Sequence, residues 1–207
     1  MSNVADPKLP HVWLLGDSIR GQYQPLVAQQ LAGAADVVGP AENGAFSLYT
    51  LMRLDYWVAE LGAPTIVHWN NGLHDALCSP FRRPIQMPLD DYLGNLGLIL
   101  TRLRAAGAQV VIWATTTPVH PAMLKSPYEY WSSISNSEID RYNEAARRQM
   151  EQAGVPISDL HAVVARDYDR HLGADQLHLS QAGLEACAAA VTDAIRRSLP
   201  SIAPARP

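Results

Sequence analysis

Residues 11–16 read HVWLLG, a short and almost continuously apolar run typical of a strand that is buried on both faces. Four more runs rich in β-branched or apolar residues follow along the chain, each with a helix-like pattern after it. These runs are DVVG at 36–39, TIVHW at 65–69, QVVIWA at 109–114 and VPISDL at 155–160. Apolar strands that alternate with helices indicate a parallel sheet covered on both sides. The sequence therefore predicts an α/β sandwich.

Two of the helices have clear boundaries in the sequence. Ser135 and Glu138 match a capping box and Gly154 provides a C-terminal stop, so the pattern predicts a helix between them. Its apolar positions share one face: Ile139, Tyr142, Ala146, Met150 and Ala153. The last helix is predicted to begin near Ser180 and to end before Pro200. Its buried face is predicted to be Leu184, Cys187, Ala188, Val191 and Ile195.

Length and composition describe one globular domain. The chain has 207 residues, with 48% hydrophobic and 17% charged side chains, which is too apolar for disorder. We expect a single domain over 1–207, with flexible tails at 1–10 and 200–207. A formal net charge of −4 lacks the basic footprint of a protein that binds nucleic acid or an anionic membrane, so neither is an expected partner. The oligomeric state stays open.

The N-terminal segment and the cysteines bear on the compartment. Residues 1–10 carry Asp6 and two prolines and have no apolar core of a signal peptide, and no apolar run approaches the roughly 18 residues of a membrane span. Cys78 and Cys187 lie far apart among apolar neighbours and are expected to be reduced. We therefore expect a cytoplasmic protein.

The stretch from 68 to 78 contains side chains of the kinds that bind metals. His68, His74, Asp75 and Cys78 do not have the spacing of a tetrahedral site, and His74 and Asp75 are expected to brace a neighbouring loop instead. The nucleotide-binding motifs and the H-E-x-x-H motif are also absent from the sequence. No metal and no cofactor is expected.

Two polar motifs stand at opposite ends of the chain. Gly-Asp-Ser at 16–18 ends the first strand, and Asp175-x-x-His178 precedes the last helix. A serine hydroxyl is a poor nucleophile until an imidazole takes its proton, and the imidazole needs a carboxylate on its other nitrogen. Ser18 is expected at the carboxyl edge of the sheet, where parallel α/β proteins bind their ligands. Asp175 and His178 are close enough in sequence for one segment to carry both.

Three further features of the sequence surround these motifs. Asp17 is expected to hold the turn before Ser18 through backbone hydrogen bonds. Arg20 is either a substrate contact or, more commonly for a first-turn arginine, a solvated surface group. The proline-containing stretches 77–88 and 118–135 are expected to form walls of the crevice. The second stretch contains Tyr128, Tyr130 and Trp131, which either stack on a sugar ring or hold the loop down.

The motifs resemble those of the SGNH, or GDSL-type, hydrolase family. LGDSI at 15–19 stands for the G-D-S-L block, and DQLH at 175–178 matches D-x-x-H. Asn-Gly at 43–44 and HWNNGLHD at 68–75 stand where the family has its second and third blocks. In the third block, G-x-N-D, His68 replaces the glycine and Asn71 replaces the aspartate. The similarity extends over residues 11 to about 198.

The resemblance implies both a fold and a set of site residues. The implied fold is a three-layer α/β/α sandwich with a central five-stranded parallel sheet, flavodoxin-like in strand order. Ser18 is the implied nucleophile, His178 the general base and Asp175 its partner. The implied oxyanion hole consists of the Ser18 and Gly44 backbone N–H groups and the Asn70 side chain, with Asn71 as the alternative.

The resemblance also implies an activity. The expected reaction is hydrolysis of a small-molecule carboxylic ester through an acyl-serine intermediate, without a cofactor, and acetylated carbohydrate is the first substrate expected. Thioesterase or lysophospholipase activity is an alternative within the family. A non-catalytic carbohydrate-binding module on the same scaffold is an alternative from another class. The acyl group and the alcohol stay open.

Overall fold

A computed structural model describes residues 9–78, 85–123 and 134–201 of the chain. Five strands form one parallel sheet in the order β2-β1-β3-β4-β5, so all five predicted strands are confirmed. Their bounds are β1 His11–Leu15, β2 Asp36–Val38, β3 Ile66–Trp69, β4 Val110–Ala114 and β5 Ile157–Ser158. The fifth strand is the shortest, because Asp159 directly after it already caps the next helix.

Eight helices connect or follow the strands within the described residues. They are α1 Ser18–Gln30, α2 Ser47–Leu61, α3 Leu73–Ala76, α4 Leu89–Ala105, α5 Asn136–Gln152, α6 Leu160–Ala165, α7 Tyr168–His171 and α8 Gln181–Ser198, and the short 3₁₀ turn Leu199–Ser201 follows α8. Ser135 caps α5, where its Oγ accepts the Glu138 N–H at 3.3 Å, and Ser180 caps α8 in the same way. Both predicted helices are therefore confirmed.

The sheet is covered on both faces, as the continuous apolar character of its strands requires. Val12 and Leu14 of β1 pack with α1, α6 and α8, whereas Trp13 and Leu15 pack with α2, α4 and α5. Successive side chains of a strand point to opposite faces, so one apolar run contributes to both cores. The result is the predicted three-layer α/β/α sandwich, in which α1 and α8 share one layer.

The strand order places the site. The chain leaves β1 for β2 on one side and then returns to β3 on the other, which makes the carboxyl ends of β1 and β3 the point where the winding direction reverses. Leu15 pairs with Trp69, and the Asn70 N–H donates to the Leu15 carbonyl at 3.1 Å. The Gly16 turn and the Asn70 segment are therefore neighbours at one edge of the sheet.

The structure also bears on the thiols and on the membrane. Cys78 and Cys187 form no disulfide within the described part of the chain. Of the helices in the described ranges, none combines the length and apolar character needed to cross a membrane.

Candidate active site

Ser18 is the first residue of α1, directly after the sharp turn at the end of β1. Asp17 is the N-cap, and its Oδ1 accepts the Ile19 N–H at 2.9 Å, which confirms the turn-holding role predicted for Asp17. Gly16 has a φ of 154°, which suits glycine. The backbone N–H groups in the first turn of a helix have no acceptor within that helix, so the Ser18 N–H is directed outward at this edge.

The structure brings the three predicted residues from the two ends of the chain into one hydrogen-bonded series. His178 Nε2 lies 2.8 Å from Ser18 Oγ, and His178 Nδ1 lies 2.7 Å from Asp175 Oδ2. Both distances are those of ordinary hydrogen bonds. The imidazole therefore has a carboxylate on one nitrogen and the serine hydroxyl on the other, which is the arrangement that activates a serine.

The Asp175 carboxylate is held by its own loop. Its Oδ1 accepts the backbone N–H groups of Leu177 and His178 at 3.1 and 2.9 Å. Partial burial raises the pKa of Asp175, but the hydrogen bonds from the His178 ring and from these two N–H groups outweigh it, so the pKa lies below its ordinary value. Asp175 is therefore charged at neutral pH and able to stabilise an imidazolium.

The loop that carries Asp175 and His178 is fastened to itself. The Gly173 N–H donates to the His178 carbonyl at 2.7 Å, and Leu172 pairs with Leu179 in an antiparallel bridge. Asp175 and His178 therefore reach the site as one preformed unit, which hereafter is called the histidine loop, residues 172–180.

Gly44 differs from its predicted role. Its N–H donates to the Gly16 carbonyl at 2.9 Å, so in this geometry the N–H is not free to bind an oxyanion. A Cβ on Gly44 would lie 2.7 Å from the Gly16 oxygen, which only glycine avoids. The structure gives Gly44 a packing role between the loop after β2 and the nucleophile turn.

Asn70 and Asn71 differ in how their amides are used. Asn71 Nδ2 donates to Ala45 O and Thr50 Oγ1 at 3.2 and 3.1 Å, and its Oδ1 accepts the Trp69 indole N–H. Asn70 Nδ2 donates to Ala114 O at 2.8 Å and has only a long 3.5 Å contact for its second N–H. Asn70 thus retains an N–H group that can bind an oxyanion, which Asn71 lacks, and this favours Asn70 over Asn71 as the oxyanion donor.

The sequence left Arg20 open between a substrate contact and a solvated surface group, and the structure shows that Arg20 is buried. Its side chain is only 5% exposed, and it donates to the backbone carbonyls of Pro40 and Glu42 at 3.0 and 2.7 Å and to Gln24. Burial lowers its pKa. Arg20 therefore ties the helix that begins with Ser18 to the loop after β2.

His74 and Asp75 lie beside the site. Asp75 belongs to α3 and is fully buried against the start of α2, where it accepts the Ser47 N–H and hydroxyl at 2.9 and 2.6 Å, so it braces these two segments against each other. Burial raises the pKa of Asp75 to about 7, although the hydrogen bonds from Ser47 act to lower it. Burial lowers the pKa of His74. The charge of Asp17 acts to raise this pKa, whereas the charge of His178 lowers it further. His74 is therefore a second imidazole in the electrostatic surroundings of the site.

Sequence reasoning missed three side-chain amides that fix the loops at this edge. Each bonds both backbone groups of one residue: Asn143 with Thr116 at 2.8 and 2.9 Å, Asn136 with Val119 at 2.9 and 2.8 Å, and Gln22 with Leu179 at 3.0 and 3.2 Å. Nothing in the local sequence marks these residues, because each pairing joins positions distant in the chain.

Two further expectations concern metals and the crevice walls. The described segments contain no cluster of His, Cys, Asp and Glu that could hold a metal ion. Residues 79–84 and 124–133, which include Tyr128, Tyr130 and Trp131, lie outside the described residues. Whether these aromatic rings face a substrate stays a prediction.

Taken together, the strand order, the helices on both faces and the polar edge define a doubly wound α/β/α protein with its site at the winding reversal. The model of the GDSL-like lipase/acylhydrolase family matches residues 13–186, and the chain belongs to this family of SGNH/GDSL-type hydrolases. No curated protein matches the chain.

Solved structures with the same fold include several hydrolases. A lipase/acylhydrolase from Enterococcus faecalis has a TM-score of 0.73 and 21% identity and covers 96% of this chain and 100% of its own. The acetyl xylan esterase AlAXEase has a TM-score of 0.73 and 18% identity, and the match covers 89% of this chain and 99% of that protein. A carbohydrate esterase family 3 protein from Talaromyces cellulolyticus has a TM-score of 0.72 and 22% identity, and the match covers 94% of this chain and 100% of that protein. At these identities the likeness concerns the fold.

Proposed function

We propose that this hydrolase is a serine esterase in which Ser18 is the nucleophile, His178 the general base and Asp175 the residue that orients His178. The observation that carries the proposal is the unbroken series Asp175–His178–Ser18, with heavy-atom distances of 2.7 and 2.8 Å. Proton transfer requires contact of this kind.

The geometry supports a two-step reaction. Ser18 Oγ attacks the ester carbonyl carbon while His178 Nε2 takes the hydroxyl proton, and the C–O bond to the alcohol then breaks as His178 returns that proton to the leaving oxygen. A water molecule next attacks the acyl-serine, gives a proton to His178 and releases the acid, and the proton returns to Ser18 Oγ. Asp175 stabilises the imidazolium in both steps.

The negative oxygen of each tetrahedral intermediate needs donors. The Ser18 N–H and the second N–H of Asn70 are the donors we propose. Gly44 contributes only if its N–H leaves the Gly16 carbonyl. One lost donor of this kind typically lowers kcat by about 10² to 10³-fold, so Asn70→Ala tests the assignment and Asn71→Ala tests the alternative donor.

Acetylated carbohydrate is the substrate class that we propose first. It is supported by two structural neighbours, one titled an acetyl xylan esterase and the other a carbohydrate esterase. Fold-level likeness is weak support for a substrate, so thioesters and lysophospholipids belong in the same test. A panel of aryl acetate, aryl butyrate, acetylated xylose, an acyl thioester and a lysophospholipid separates these possibilities by their kcat/KM values.

The nucleophile is tested on an aryl acetate with the wild type, Ser18→Ala and Ser137→Ala. We expect Ser18→Ala to lose at least about 10³-fold in kcat, because the residual rate comes from binding and oxyanion contacts alone. Ser137 is exposed on α5 and belongs to neither α1 nor the histidine loop, so its variant should match the wild type. Equal rates in the wild type and Ser18→Ala would refute the esterase mechanism and leave a binding module as the alternative.

A further inference from the structure

The proposed reaction requires two separate parts of the molecule to meet at hydrogen-bonding distance. Ser18 belongs to α1, whereas Asp175 and His178 belong to the histidine loop, which is closed by its own backbone bonds. The loop fixes Asp175 against His178 but does not by itself fix His178 against Ser18. A contact between the loop and α1 has to set that distance.

Gln22 provides this contact. It lies one helical turn after Ser18, so the two side chains share a face of α1. Gln22 Oε1 accepts the Leu179 N–H at 3.0 Å, and Gln22 Nε2 donates to the Leu179 carbonyl at 3.2 Å. Leu179 is the residue next to His178, so the amide binds the backbone directly beside the catalytic imidazole.

We propose that Gln22 is a positioning residue that sets the approach of His178 Nε2 to Ser18 Oγ, an inference that rests on the proposed esterase function. The contacts form a closed ring, from Ser18 along one turn of α1 to Gln22, across to Leu179, back to His178 and through its imidazole to Ser18. A ring of this kind removes the sliding and rotation that a single hydrogen bond leaves possible.

Apolar packing alone does not replace this contact. The Leu179 side chain is buried between α1 and α8, which holds the loop near the helix. Packing is non-directional, whereas two hydrogen bonds to one residue fix the orientation of its backbone. Without the Gln22 amide, the Leu179 N–H and carbonyl turn to other partners and the imidazole moves with them. A shift of about 1 Å costs up to roughly 10²-fold in rate.

The test compares Gln22→Met, Gln22→Glu and the control Gln29→Ala with the wild type. Methionine keeps the packing of the side-chain stem but forms neither bond. Glutamate keeps the acceptor but puts a carboxylate oxygen against the Leu179 carbonyl. Gln29 is exposed on the same helix, and its side chain makes no hydrogen bond among the described residues.

We expect Gln22→Met to lower kcat by about 10 to 10²-fold with little change in KM, because the substrate contacts remain and only the proton transfer suffers. Gln22→Glu should show the same loss of kcat at pH 8. Its kcat relative to the wild type should recover as the pH falls towards 5, because a protonated carboxyl group can again donate to the Leu179 carbonyl. The ratio of Gln22→Met to wild type should not change with pH. Gln29→Ala should match the wild type.

A readout independent of catalysis accompanies the kinetics. Residue-resolved hydrogen exchange should show the Leu179 amide exchanging about tenfold faster in Gln22→Met, since one backbone hydrogen bond is lost. An unchanged kcat together with unchanged exchange at Leu179 overturns the positioning role. Failure of the esterase function has a different signature, since Ser18→Ala then equals the wild type while the exchange at Leu179 still reports the contact.

Discussion

At the residue scale, the site depends on how each ionisable group is surrounded. Two of the carboxyl groups at this edge of the sheet, those of Asp175 and Asp75, have opposite environments. Asp175 accepts hydrogen bonds from an imidazole and two backbone N–H groups and has a lowered pKa, whereas Asp75 is fully buried and has a pKa raised to about 7. Asp175 is therefore the permanent charge, and Asp75 is the group that titrates near neutrality.

Asp75 makes stability depend on pH in a direction that can be tested. Its folded pKa of about 7 lies above the ordinary value of 3.8, so between these values the folded state holds a proton that the unfolded state has lost. The free energy of unfolding therefore falls as the pH rises through this window. Asp75→Asn keeps an acceptor for the Ser47 N–H and does not ionise. We expect its unfolding free energy, relative to the wild type, to rise from pH 5 to pH 8.

Urea denaturation of both proteins at pH 5, 6.5 and 8 measures this difference. A change of a few kcal/mol is expected, because a difference of one pKa unit between the folded and unfolded states corresponds to about 1.4 kcal/mol. Asp193→Asn is the control, because Asp193 is exposed on α8. Parallel pH curves for the wild type and Asp75→Asn would contradict the raised pKa.

At the scale of elements, the contact between the loop after β2 and the nucleophile turn is close enough to require glycine. The Gly44 N–H reaches the Gly16 carbonyl, and Arg20 bonds two carbonyls of the same loop. In Gly44→Ala a Cβ would lie 2.7 Å from the Gly16 oxygen, so the two segments must separate. We expect a loss of about 1 to 3 kcal/mol in stability and a lower kcat.

Thermal unfolding and ester hydrolysis check this prediction together. Gly94→Ala is the control, because its Cβ would meet nothing within 4 Å and alanine favours a helix interior. If Gly44→Ala retained wild-type stability, the packing role of Gly44 would be wrong.

The cap of α8 is a second contact at the scale of elements. Ser180 ends the histidine loop, and its Oγ accepts the Gly183 N–H at 3.1 Å. Ser180→Ala should lower the unfolding free energy by at least about 1 kcal/mol, because the Ser180 hydroxyl also donates to the Arg170 carbonyl. Ser180→Asp should restore only part of this loss, because a carboxylate is a good N-cap but cannot donate to that carbonyl. Denaturant titration measures both, and an undiminished stability in Ser180→Ala would count against the cap.

At the scale of the whole molecule, the sequence predicted what is written in local patterns. The apolar runs predicted five parallel strands, Ser135 and Ser180 predicted two helix starts, and the two end motifs predicted that Ser18, Asp175 and His178 would meet. It could not predict contacts between distant positions that have no local signature. Gln22 and Arg20 are ordinary helix residues in sequence, and only the fold places them against the backbone of other segments.

The two cores of the sandwich should contribute differently to catalysis. The core on one side contains α1 and α8, and these helices adjoin Ser18 and the histidine loop. The opposite core contains α2, α4 and α5, and none of these helices contains Ser18, Asp175 or His178. Val191 of α8 and Leu96 of α4 are both fully buried, one in each core. Comparing a truncation at each position separates the effect of stability on catalysis from the effect of geometry.

We expect Val191→Ala and Leu96→Ala both to destabilise the fold, by about 1 to 5 kcal/mol, because each leaves a cavity in a close-packed interior. Only Val191→Ala should also lower kcat under conditions in which both variants are folded, because a change in the packing of α8 on α1 shifts His178 against Ser18. Circular dichroism with denaturant gives the stability, and ester hydrolysis at low temperature gives kcat. An equal loss of kcat in both variants would mean that the site responds to the overall stability of the protein rather than to the packing of the layer that contains α1 and α8.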